Sequence, residues 1–325
     1  MNILIVHNGK IPATKYGGTE RVIWDLAREL VKSGHKIGFL VKKGSFCDFG
    51  EIYDYDINKP VDEQIPIKFD VIHFNSINRS EKKPYIITLH GNSGKISKLD
   101  KNCVFVSKNH AARHGSDSFV YNGLDWDNYE KPDLKKERTY YHYLANAAWR
   151  VKNVKGAIDI IKKSDNEKLY VMGGKRLNIK MGFRFTMSNK IKFFGMVNND
   201  KKFEIMSNSK GLIFPVRWHE PFGLAIIESL FSGCPVFGTP YGSLPELVKK
   251  EFGFLSTNEI DFIDVLKNGN NFSRKDCHEY ALDNFNSKIM AEKYLEKYTK
   301  VLNGEVLNEK NPQLLELSDK FLPWN

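Results

Sequence analysis

Short apolar runs alternate along the chain with longer segments whose apolar residues recur every three or four positions. The run NILIVH (2–7) predicts a buried strand, and TERVIWDLARELVKSGH (19–35) follows it with Val22, Ile23, Leu26, Leu30 and Val31 at helical spacing. Thr19 is the expected N-cap of that helix and Gly34 its stop. IGFLV (37–41), DVIHF (70–74), YIITL (85–89), CVFV (103–106) and SFVY (118–121) predict further strands, several rich in β-branched residues. Strands separated by helices or loops in this way form parallel βαβ units.

A polar stretch, DWDNYEKPDLKKER (125–138), interrupts the pattern and reads as an interdomain linker. The pattern then restarts. It predicts a strand in TYYHYLANA (139–147), a helix in NVKGAIDIIKK (153–163), strands in KLYVMGG (168–174) and KIKFFGMV (190–197), a helix in KFEIMSNS (202–209) and a strand in GLIFPV (211–216). The segment WHEPFGLAIIESLFSGCPVFG (218–238) supplies another helix and strand, with helical segments to about residue 303. The fold class expected is therefore α/β, with two Rossmann-like doubly wound domains and an interdomain cleft. Residues 1–138 form the first domain and 139–303 the second, and 304–325 form a tail that could return to the first. A length of 325 residues agrees with two cores rather than one.

Composition narrows the class. With 41% apolar, 27% charged and 13% aromatic residues, the chain is globular rather than collagenous, low-complexity or disordered. The net charge of +10 is spread evenly, +4 over residues 1–140 and +6 over 141–325, with no basic tail. That distribution favours a phosphate-bearing small molecule or a lipid surface over nucleic acid. Cys47, Cys103, Cys234 and Cys277 lie far apart, which argues for reduced thiols and against a disulfide framework or structural zinc. MNILIVHNGKIP lacks a basic region ahead of its apolar run, and no apolar stretch of about 20 residues occurs. A soluble cytoplasmic chain is the expectation.

Two stretches invite chemistry. In KYGGTER (15–21), Gly17 and Gly18 lie between the first strand and first helix, where free backbone N–H groups and a positive dipole end meet an anion. A tight turn explains the same glycines. The second stretch sets Glu220 and Glu228 at either end of Pro221-Phe222-Gly223-Leu224 and an apolar run. If the helix starts at Pro221, Glu228 lies about 12 Å along the axis from Glu220. That is too far for two carboxylates flanking one glycosidic bond. It suits a ligand with a polyol at each end and an anion between, the shape of a nucleotide diphosphate sugar. An amphipathic helix with one solvated glutamate is the plainer alternative, but Glu228 is flanked by Ile226, Ile227, Leu230 and Phe231.

On these residues the chain resembles the retaining glycosyltransferases of family four, the group 1 type, which have the two-domain GT-B fold. The resemblance rests on E-P-F-G-L…E, on Gly233-Cys234-Pro235-Val236, on Gly242-Ser243-Leu244-Pro245-Glu246-Leu247-Val248 and on Gly253-Phe254-Leu255. It extends to Gly17-Gly18-Thr19-Glu20, to Asn122-Gly123-Leu124-Asp125, and to Arg150 with Lys155-Gly156. It implies that Glu228 holds the ribose hydroxyls and that Glu220 faces the transferred sugar beside the Phe222, Gly223 and Leu224 amides. It further implies that Arg150 and Lys155 neutralise the diphosphate, that Gly17 and Gly18 close over it, and that His90 lies near sugar and acceptor. Gly195 and Met196, with Gly173-Gly174, are strand ends near the base.

The chain departs from the family pattern at Trp149, where a glycine is usual, at Asn75, where many members carry a second histidine, and in its short first domain. Asp54-Tyr55-Asp56 and Asp125-Trp126-Asp127 match a metal–diphosphate signature of a different fold, and neither lies in a segment expected at the site.

The expected function is thus transfer of a hexose from a nucleotide sugar, UDP-linked rather than GDP-mannose, to a hydroxyl acceptor in polysaccharide or glycolipid synthesis. The acceptor is a sugar, a lipid-linked sugar or a small molecule. No metal or other cofactor is expected, nor any nucleic-acid partner, and peripheral association with the inner face of a membrane is compatible with the charge. The rival readings are a nucleotide-sugar epimerase on the same fold and a non-catalytic basic binding protein. A dehydrogenase fits less well because no G-x-G-x-x-G follows a strand.

Overall fold

The structure is a computed structural model that describes residues 1–13, 17–92, 95–179, 181–268 and 271–325. Lys15 and Tyr16 of the glycine loop lie outside the described residues. The chain forms two compact units, residues 1–126 with 284–317, and residues 127–283 with 318–325.

The first unit is built on six parallel strands: β1 (Asn2–His7), β2 (Lys36–Val41), β3 (Glu51–Asp54), β4 (Val71–Phe74), β5 (Tyr85–Leu89) and β6 (Cys103–Phe105). Their order is β3-β2-β1-β4-β5-β6. Ile3, Leu4, Ile5 and Val6 of β1 and all four residues of β4 are buried, as strands covered on both faces require. Helix α1 (Gly18–Lys32) buries Val22, Ile23, Leu26 and Leu30, the stripe its spacing predicts. Its N-cap is Gly17 rather than Thr19, and Gly34 follows the end at φ +85°. Two strand readings change. SFVY forms only a single parallel bridge, Phe119 to Phe105, while the polar edge strand β3 was not anticipated. The short helix α2 (Lys108–Ala112) is capped by the Ser107 side chain, which accepts from the His110 N–H.

The second unit repeats the plan. Its strands are β7 (Tyr140–Leu144), β8 (Leu169–Met172), β9 (Leu177–Asn178), β10 (Arg184–Phe185), β11 (Ile191–Gly195), β12 (Ser209–Phe214), β13 (Val236–Gly238) and β14 (Gly253–Leu255). Six of them form a parallel sheet in the order β11-β8-β7-β12-β13-β14, while β9 and β10 pair antiparallel as a separate ribbon. Helices α3 (Val154–Lys163), α4 (Asn199–Ser207), α5 (Leu224–Phe231), α6 (Leu244–Leu247), α7 (Glu259–Lys267) and α8 (Arg274–Asn284) complete the unit. Both sheets therefore reverse their winding between the first strand and the fourth, the point where doubly wound sheets bind ligands at the carboxyl ends of their strands.

Two expectations about segmentation need correction. The 125–138 stretch is no free spacer: Trp126 and Arg138 are buried, and Arg138 donates to the carbonyls of Ser209, Ser232 and Gly233. The final helix α9 (Ser287–Leu302) packs on α1 and β5 and belongs to the first unit, not the second. Its Tyr298 hydroxyl bonds His73 Nδ1 in β4 at 2.8 Å, while Thr88 Oγ1 bonds His73 Nε2 at 2.7 Å and the Tyr294 hydroxyl at 3.0 Å. The tail follows the same unit to residue 317, with Leu99 N–H donating to the Pro312 carbonyl and Asn308 donating to the Lys101 and Cys103 carbonyls, and residues 318–325 join the second unit.

His142 in β7 is the second unit's counterpart of His73, fully buried and bonded to Ser209 Oγ at 2.7 Å and Ser229 Oγ at 2.9 Å. Burial pushes both imidazoles from an ordinary 6.5 to about 3. Each ring stays neutral in the folded chain but takes up a proton near pH 6.5 once unfolded. Stability is therefore complete above that value and declines as the pH falls through it toward 3. Urea unfolding at pH 7.5 and pH 5 should show a loss of about 2 kcal/mol per buried ring at the lower pH. An unchanged midpoint would mean that these histidines are hydrated.

Candidate functional site

The carboxyl end of β12 leads through Pro215 into Trp218, His219 and Glu220. Backbone contacts fix this segment. Glu220 forms a parallel bridge with Gly242, the Ser243 N–H donates to the Glu220 carbonyl at 2.9 Å, and Ser243 Oγ donates to the Phe222 carbonyl at 2.6 Å. A Cβ at Gly242 would lie 2.2 Å from the Glu220 nitrogen, and its φ is +66°, so only glycine permits the approach. The Gly233, Gly242 and Gly253 motifs seen in the sequence thus have structural work, the second directly beneath Glu220.

Helix α5 starts later than expected. Gly223 holds a left-handed conformation at φ +88° and caps a helix beginning at Leu224, so Pro221 and Phe222 lie in the preceding turn. The 12 Å axial spacing assumed a helix from Pro221 and does not apply. Glu228 lies in the second half of α5, 1% exposed.

Each glutamate is met by a lysine. Lys152 Nζ lies 2.5 Å from Glu220 Oε2, and Trp218 Nε1 donates to the same oxygen at 2.9 Å. The ammonium also sits over the Trp218 ring, 4.6 Å from its centroid. Lys202 of α4 places Nζ 2.5 Å from Glu228 Oε1, and the Tyr129 hydroxyl donates to that oxygen at 3.0 Å. Lys152, Lys202 and Tyr129 were not singled out from the sequence. A lysine near an apolar stripe looks like any solvated charge until the fold shows what it faces.

The remaining expected donor-side residues divide. Arg150 is exposed, with its guanidinium 4.9 Å from the Phe321 ring centroid. Lys155 stands 81% exposed on α3 and pairs with Asp159 one turn on, so the structure does not bring it to Glu220. Between them, Asn153 takes a left-handed conformation, φ +50°, and its side chain caps α3 by accepting from Gly156 N–H. Gly195 ends β11 at φ +69°, with open space where a Cβ would stand, and its backbone bonds Gly173 and Gly174 at the end of β8. Met196 beside it is half exposed.

The first unit has its own polar cluster at the ends of β1, β4 and β5. His7 Nε2 lies 3.3 Å from Glu20 Oε1, and this hydrogen bond holds the Glu20 carboxyl below its usual range. A Cβ on Gly17 would lie 2.5 Å from Glu20 Oε2, the movable end of that side chain, so Glu20 approaches the Gly17 backbone closely. Gly18 is the first residue of α1. His90 Nε2 lies 2.8 Å from Asn75 Oδ1. An amide oxygen only accepts, so Nε2 carries the proton and Nδ1 keeps its lone pair. Burial, then the charge of His7, lowers the His90 imidazole to about 4. Asn75 thus orients this ring in place of the second histidine many family members carry there. Of the aspartate pairs, Asp125 meets Lys32 at 3.4 Å and Asp56 accepts from the Asn58 N–H.

Residues 125–279 match the family model of glycosyl transferases group 1, which bears out the resemblance read from the sequence over those residues. No curated protein matches. Among solved structures, the chain is similar to AviGT4, a glycosyltransferase involved in avilamycin A biosynthesis, at TM-score 0.74 and 15% identity over 93% of this chain and 98% of that one. Sucrose-phosphate synthase from Thermosynechococcus elongatus gives 0.72 and 13%, over 94% and 100%. Anabaena HepE in complex with UDP-glucose gives 0.65 and 16%, over 92% and 99%. The fold is that of the GT-B glycosyltransferases, two parallel-sheet α/β domains, as expected from the sequence.

The buried Lys202–Glu228 pair sets a stability test. Glu228→Ala leaves an ammonium buried without its carboxylate, which costs about 3–5 kcal/mol. Adding Lys202→Met should restore most of that loss in urea unfolding. Additive losses in the double variant would show that the two side chains do not interact.

Proposed function

We propose that the chain is a retaining glycosyltransferase that moves a hexose from a nucleotide sugar, UDP-linked in preference to GDP-linked, to a hydroxyl acceptor. The observation that carries this reading is the pair of buried carboxylates, Glu220 and Glu228, flanking the start of α5 within a group 1 glycosyltransferase domain. That HepE was solved with UDP-glucose supports a uridine donor. Glu228 takes the ribose hydroxyls, exchanging part of its contact with Lys202 and Tyr129 for them. Glu220 takes the hydroxyls of the transferred sugar, and the diphosphate lies between them at the N-terminal end of α5. Gly195 and Met196 border the base, and Phe222, Gly223 and Leu224 line the sugar side.

The leaving diphosphate needs fixed positive charge, and Lys152 with Arg150 supplies it. Left-handed Asn153 occupies a conformation that glycine favours. Lys152-Asn153 is therefore the counterpart of the family's Lys-Gly pair, in place of Lys155-Gly156. The acceptor proton passes to the departing diphosphate oxygen on the face where the acceptor attacks, which retains the anomeric configuration. In the first unit, His90, with Nδ1 as its acceptor nitrogen, contacts sugar and acceptor, and Gly17 and Gly18 offer backbone N–H groups to the diphosphate. The reaction requires no metal, and the enzyme works in the cytoplasm or on the inner membrane face, in polysaccharide or glycolipid synthesis.

The test combines a thermal-shift panel of nucleotide sugars with transfer assays on variants. A bound donor at 100 times its dissociation constant should add about 2.7 kcal/mol to stability. Lys152→Ala should lower turnover about 10²–10³-fold, the loss typical of one group facing developing charge, and Lys155→Ala less than about tenfold. Glu228→Gln should weaken UDP itself, whereas Glu220→Gln should spare UDP binding and lower transfer. Loss of all activity in EDTA with full recovery in magnesium would overturn the metal-free mechanism. Turnover of donor with no acceptor present would point instead to an epimerase.

A further inference from the structure

Strands β9 and β10 form a ribbon whose outward face is apolar. Arg184 pairs with Asn178 and Phe185 with Leu177, so Leu177 and Phe185 share one face of the strand pair and Asn178 and Arg184 the other. On the first face Leu177 is 54% exposed and Phe185 55%, and the residues that continue the ribbon are exposed as well, Ile179 at 76%, Met181 62%, Phe183 77% and Met187 78%. The opposite face is polar and occupied. Arg184 donates to Thr186 Oγ1 and the Lys175 carbonyl, and Asn178 donates to the Gly182 carbonyl. Arg176 ties the ribbon to the sheet through the Ile191 carbonyl at 2.9 Å. A strand pair bathed in water turns its apolar side inward, and this one does the reverse.

The charge around the ribbon is one-sided. Between Glu167 and Asp200 the chain carries seven Lys/Arg and no acidic residue. Lys175, two residues ahead of β9, and Lys192 on β11 are both exposed. A second copy of the chain would bring the same sign of charge to the same patch, which opposes self-association. Only Phe183 and Phe185 of the six can stack on nucleic-acid bases, and the four aliphatic or thioether groups among them suit a hydrocarbon environment better than a base platform. An anionic bilayer satisfies both features, accepting apolar side chains below its headgroups and attracting lysines at their level.

We propose that the β9–β10 ribbon is a membrane-docking surface that inserts its exposed apolar side chains into the interface of an anionic bilayer. Among the described residues no helix is long and apolar enough to cross a membrane, so attachment through this ribbon is peripheral. The surface does not depend on the donor chemistry.

The test is co-sedimentation of the full chain with vesicles of phosphatidylcholine alone or mixed with phosphatidylglycerol. Binding to the mixed vesicles should be at least about tenfold stronger. Ile179→Ser with Phe183→Ser should reduce it about tenfold or more, with the thermal unfolding midpoint unchanged because both side chains are exposed. Lys175→Glu should weaken binding to mixed vesicles alone. Failure of the native chain to sediment with either vesicle, or undiminished binding by the serine variant, overturns the proposal. So does a dimer, or an oligonucleotide complex, that forms with the native chain and is lost in that variant.

Discussion

A carboxylate inside a protein survives as an ion only if a cation comes with it, and the second unit is organised around that requirement. Glu220 and Glu228 each hold a lysine ammonium at 2.5 Å. The first pair ties the Lys152 turn to the segment after β12, and the second ties α4 to α5. Taking charges out of water costs several kcal/mol each, so such pairs are poor sources of stability. Their value is positional. The ions and their hydrogen-bond partners are set before any ligand arrives, and fixed charge is what a departing diphosphate needs. Gly242 serves the same end through the backbone, since no other residue lets the chain pass so close behind Glu220.

The two units solve a shared problem with different chemistry. Both sheets have the same winding, and both bury a histidine in a strand at or beside the reversal point, satisfied by hydroxyls alone. Beyond that the first unit places imidazoles and one carboxylate at its strand ends, while the second places lysines and carboxylates. The first set suits steering of neutral hydroxyls. The second suits an anion flanked by polyols.

The sequence made the strands legible where both faces are covered, because NILIVH and DVIHF are apolar runs in which His73 is the one polar side chain between apolar neighbours. It hid β3, an edge strand whose Glu51 and Asp54 face water, and the ribbon, whose outward side inverts the usual rule. The glutamates at 220 and 228 stood out by spacing against an apolar run. Their lysine partners did not, because Lys152 and Lys202 lie far along the chain from the glutamates and only folding brings them near. The left-handed turn at Asn153 was hidden for the same reason, since nothing in the sequence marks an asparagine as taking that conformation. The start of α5 was misjudged for a related reason, since proline suits a first helical turn but a left-handed glycine two residues later postpones it.

The hydrogen bond from His73 to Tyr298 joins residues 225 positions apart. During synthesis, the first sheet leaves the ribosome with a polar ring in its interior and no helix to cover it. Its own partner, α9, is made only after nearly all of the second unit. The residues encoded first are thus the ones that must wait, while residues 127–283 gather their sheet as they emerge. A nascent chain halted before residue 287 would expose the face of β4 and β5, the surface a chaperone would have to shield until the last helix closes it.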